Sequence, residues 1–87
     1  MSTQAPAPVQ SFSDTSIEKI AYKSVESIPT QEPNDRSRLG YHVWLWLTTK
    51  EGTLEESVRS AGSRMLVSYA EAISIIEKSL AQQNIAA

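Results

Sequence analysis

The 87-residue chain contains no cysteine, one histidine, one phenylalanine and three glycines. Without cysteine there is neither a disulfide staple nor a thiol nucleophile. The single histidine, His42, excludes a histidine-rich metal site, and no Cys/His cluster with ligand spacing exists. Gly40, Gly52 and Gly62 stand alone, so no glycine-rich loop can cradle a phosphate. No cofactor is implied. No apolar stretch approaches the roughly 20 residues of a membrane span. The first nine residues lack the basic and apolar regions of a secretory signal, and the expected location is cytoplasmic.

Neither sign of charge dominates. Eight basic residues face ten acidic ones, a net charge of −2. That balance disfavours nucleic acid and anionic membranes as partners. Arg36, Arg38, Lys50, Arg59 and Arg64 are interspersed with Glu32, Asp35, Glu51, Glu55 and Glu56, which reads as solvated mixed charge.

What the chain does have is the run Tyr41-His42-Val43-Trp44-Leu45-Trp46-Leu47-Thr48-Thr49, rich in aromatic and branched residues. It reads as a β-strand over 41–49 that is apolar on both faces. A lone strand leaves backbone groups unpaired, so it needs a neighbour, either from this chain or from a second copy.

Around that strand the chain divides simply. Residues 1–13 are rich in Ser, Thr, Gln, Ala and Pro and read as a flexible tail, with Val9 and Phe12 as anchors. The remainder, 14–87, reads as one small domain. In 16–28, Ile17, Ile20, Ala21, Val25 and Ile28 recur at helical spacing, Thr15 and Glu18 fit a capping box, and Pro29 ends the element. A strand is the competing reading there, because 41–49 needs a partner. Residues 29–40, with Pro29, Pro33, Asn34-Asp35 and Gly40, read as a loop.

After the Lys50-Glu51-Gly52 turn, Thr53 and Glu56 form a second capping box. Helical periodicity then runs over 53–84, a rod of roughly 48 Å if unbroken. Its stripe is Leu54, Val58, Ala61, Met65, Tyr69, Ile73, Ile76 and Leu80. Gly62 marks the place where it would break into helices over 53–61 and 64–82. Leu66, Val67, Ala70, Ala72 and Ile75 lie off the stripe, so Met65–Ile76 reads as apolar nearly all round and buried on more than one side.

The expected fold class is therefore α+β: a small antiparallel sheet built on 41–49, closed within the chain or across a dimer, with helices before and after it. No catalytic constellation emerges, and the chain reads as non-enzymatic. The expected function is a protein–protein interaction module: an accessory, inhibitor or assembly subunit that forms a homo-oligomer and binds a protein partner. Alternation along a strand puts His42, Trp44 and Trp46 on one face for that partner, with Tyr41, Val43, Leu45 and Leu47 facing the helix. Met65, Leu66, Tyr69 and Ile73 supply a helical part of the same interface. The alternative is a dimeric ribbon-helix-helix-like nucleic-acid-binding regulator, suggested only by element order. The aromatic character of 42, 44 and 46 speaks against a base-reading ribbon.

Overall fold

The computed structural model describes residues 14–84. The expected tail over 1–13, with Val9 and Phe12, and the apolar end Ile85-Ala86-Ala87 lie outside the described residues. The α+β expectation is overturned. Residues 14–84 form four helices, α1 Asp14–Val25, α2 Pro33–Thr49, α3 Leu54–Ala61 and α4 Tyr69–Gln82, with no strand among the described residues.

The largest correction concerns residues 33–49. The segment read as a loop followed by a strand is one 17-residue helix. Pro33 does not break it, because at the first helical turn a missing N–H costs nothing. Gly40 does not end it either. A Cβ placed on Gly40 would overlap the ring of Tyr22, so this glycine is where α1 and α2 approach most closely. The decisive spacing is Leu39, Val43 and Leu47, four apart and all buried. Reading only 41–49 hides Leu39 and leaves a composition that resembles a strand. A helix pairs its own backbone groups, so the requirement for a second strand disappears.

α1 begins at Asp14 among the described residues, which places Thr15 inside the helix rather than at a cap. It ends at Val25, and the Ile28 N–H bonds back to the Val25 carbonyl (3.0 Å) just before Pro29. Thr53 and Glu56 make the capping box their spacing predicts. The Thr53 hydroxyl accepts from the Glu56 N–H (3.1 Å), and the Glu56 carboxylate accepts from the Thr53 N–H (2.9 Å). The periodic segment 53–84 is broken at Gly62, whose φ of 62° is the left-handed conformation that closes a helix. The next helix starts only at Tyr69, with Ser68 as its N-cap. Met65, Leu66 and Val67 therefore belong to a connection and not to an all-round apolar helix.

The helices close into a ring: α1 packs on α2 and α4, and α3 packs on the same two. Each contributes a stripe to one core. These are Ala21 and Val25 from α1, the three α2 residues, Leu54, Val58 and Ala61 from α3, and Ala72, Ile76 and Leu80 from α4. Ile28 adds to them from the α1–α2 connection. At one end the two connections zip together. The Gln31 N–H donates to the Arg64 carbonyl (3.0 Å) and the Leu66 N–H to the Pro29 carbonyl (2.9 Å), an isolated antiparallel bridge between Thr30 and Met65. No helix among the described residues is long and apolar enough to cross a membrane.

Candidate functional site

α2 carries the polar and aromatic residues of interest, and its two ends differ in kind. At its N-terminal end lies Asp35, only 1% exposed. This corrects its reading as a solvated loop residue. The Asp35 carboxylate accepts from the Glu32 N–H (3.1 Å), from Arg38 Nη1 (3.1 Å) and from Arg64 Nη2 (3.2 Å). Its main-chain carbonyl accepts from the Ser63 hydroxyl (2.7 Å). Arg36 Nε donates to the Ile28 carbonyl (3.0 Å). The arginines are thus spread over the mouth of one buried carboxylate. Burial pushes the Asp35 carboxyl up, but the hydrogen bonds and charge of Arg64, with the bond from Arg38, outweigh it. The carboxyl sits below its ordinary 3.8. The arrangement is a structural clasp joining the start of α2 to the α3–α4 connection.

The C-terminal half of α2 holds the predicted partner-binding aromatics, which the helix distributes differently from a strand. Residues two apart on a helix point in nearly opposite directions, whereas those four apart align. His42 and Trp46 therefore share a side and line the same groove. Trp44 turns away and packs against Tyr41, ring centroids 5.6 Å apart. All three are half-buried. Trp46 Nε1 donates to the Gly52 carbonyl (3.2 Å), which ties the α2–α3 turn to the helix. Trp44 Nε1 is buried and has no hydrogen-bond partner.

The other predicted residues are not brought to this surface as one patch. Met65 is half-buried in the bridge with Thr30, and Leu66 beside it is 62% exposed. Tyr69 and Ile73 are half-buried one turn apart on α4, with the Arg59 guanidinium 4.5 Å above the Tyr69 ring. The residues missed are Tyr41 and Leu45, 48% and 36% exposed, which the strand reading placed against the core beside Val43 and Leu47. The helical period separates these pairs: Val43 and Leu47 continue the buried line from Leu39, while Tyr41 and Leu45 lie one turn apart outside it.

Leu45 sits at the edge of a solvent-open groove of about 610 Å³ between α2 and α3. His42, Leu45, Trp46 and Thr49 form the α2 wall, and Ser57 and Ser60 form the α3 wall. Glu51, Gly52 and Glu56 line it at the turn. Its size falls in the range of about 300–1,000 Å³ typical of ligand clefts. Two carboxylates and no lysine or arginine line it. Among the described residues no group of three His, Cys, Asp or Glu side chains is placed to hold a metal ion.

Comparison with protein-family models, with curated proteins and with solved structures finds no match to this chain.

Proposed function

We propose that this chain is a small, non-enzymatic interaction module that engages a protein partner through the exposed side of α2. The observation that carries the reading is the pair Tyr41 and Leu45, large apolar residues left exposed one turn apart beside the α2–α3 groove. Aromatic and aliphatic side chains held on a rigid helix lose little entropy on binding and make effective anchors. The ribbon-helix-helix alternative rested on a strand at 41–49, and that segment is helical. The earlier argument for a dimer through strand pairing lapses with it. A homo-oligomer now stands only on the Tyr41–Leu45 face, and light scattering across a concentration range is its test.

The test of the module itself uses glutamine, which keeps helix propensity while removing the apolar surface. Immobilised wild-type chain and the Tyr41→Gln/Leu45→Gln variant are compared for proteins retained from a lysate of the cells that make the chain. The expected result is a small set held by the wild type and lost by the variant, with an unchanged helical circular dichroism spectrum. The same set retained by both would show that α2 is not the binding face.

A further inference from the structure

Resting on that reading, we infer that the α2–α3 groove takes a basic, partly apolar segment of a partner protein. The first argument is charge. Glu51 and Glu56 are the only ordinarily charged side chains lining the groove, and both are acidic. Among the described residues the Glu51 carboxylate has neither an ion-pair nor a hydrogen-bond partner, and the Glu56 bond to the Thr53 N–H uses only Oε1. The second argument is the helix end. The last turn of α2 contains no basic residue, so its terminal carbonyls add partial negative charge at the same end. Lys50, just beyond it, points its charge outside the lining.

The third argument is shape. Leu45 and Trp46 give an apolar surface, and Ser57 and Ser60 on α3 are small enough to leave room opposite it. An open channel of this kind accepts an apolar side chain against Leu45 and Trp46 with a Lys or Arg reaching Glu51 and Glu56. A second copy of the chain is the poorer occupant. Its exposed Leu66 neighbours Arg64, already committed to Asp35, and Arg59 is paired with Glu55.

The test is a selection of random 12-residue peptides displayed on phage against the immobilised full chain. Binding of the recovered peptides is then measured on the wild type and on Glu51→Gln/Glu56→Gln. Glutamine at 56 keeps an acceptor for the Thr53 N–H, so the α3 cap survives. Recovered peptides should carry Lys or Arg within four positions of an apolar residue. They should shift the Trp46 indole and Gly52 amide signals in NMR spectra, and they should bind the variant about fivefold to tenfold more weakly. Peptides that shift those signals but carry no basic excess would overturn the charge argument and leave the interaction module standing. An empty selection, binding unchanged in the variant, or a doubled solution mass that Leu45→Gln abolishes would overturn the proposal outright. Failure of the module itself is a separate result, since it appears as lysate capture indifferent to Tyr41→Gln/Leu45→Gln.

Discussion

At the start of α2 a carboxylate that is 1% exposed meets two guanidinium groups and a backbone N–H, and a serine hydroxyl caps the same residue's carbonyl. Ten residues further along the same helix, Leu45 stands 36% exposed, and beyond it Glu51 has an unpaired carboxylate. One end has its polar groups paired and its apolar groups covered. The other leaves both kinds open on adjoining surfaces. The contrast assigns roles. Ionic groups that pair with each other position the helices and connections, whereas unpaired groups beside exposed apolar surface are available to another molecule.

The sharpest way to break this contrast is to hollow the covered region. Leu39 lies in the core one turn after Asp35, and Leu39→Ala should cost about 2–5 kcal/mol in urea unfolding, because a cavity adds to the lost transfer energy. A cost under about 1 kcal/mol would mean that this end is loosely packed and the contrast is overstated.

Asp35 supplies the next test, through pH. Its folded-state carboxyl is lowered below 3.8, so the unfolded chain binds its proton more readily. The resulting stabilisation is present above the ordinary carboxylate range and is lost as pH falls through the lowered folded value. Asp35→Asn should remove that dependence, giving a lower melting temperature at pH 7 and a smaller drop in melting temperature between pH 5 and pH 2. An unchanged acid slope would show that the Arg38 and Arg64 contacts do not bias Asp35 titration.

Thr53→Ala tests the junction between the two regions. It deletes the acceptor for the Glu56 N–H and should cost about 1 kcal/mol, read from the urea midpoint. The smallest effect belongs to the open region. Tyr41→Gln/Leu45→Gln should stay within about 1 kcal/mol of the wild type, since neither side chain is part of the core and only the Tyr41–Trp44 ring contact is lost. Destabilisation as large as that of Leu39→Ala would place these residues in the folding core and remove the basis for a binding face.

How much of this was legible in the residues varies along the chain. The Thr53/Glu56 cap and the interruption at Gly62 follow from local chemistry, because a cap is completed within four residues and a left-handed turn needs no distant partner. The candidate site was legible in composition but not in arrangement. His42, Trp44 and Trp46 were picked out, yet a period of two instead of 3.6 assigned Trp44 to the wrong side and hid Tyr41 and Leu45 in a core they do not join.

Sequence alone therefore determined the apolar lines Leu54-Val58-Ala61 and Ala72-Ile76-Leu80, the helix caps after residue 50, and the shortage of residues for metal or thiol chemistry. Tertiary structure decided the state of 33–49 and the burial of Asp35. Aromatic and β-branched residues tolerate either helix or strand, and packing breaks the tie. Here the tie is broken by Tyr22, whose ring needs the bare backbone of Gly40, and by α1, α3 and α4, which together offer a core to Leu39, Val43 and Leu47. Asp35 is buried for a similar reason: Arg64 lies 29 residues away in the chain, and only the closing of the helical ring brings it to the carboxylate.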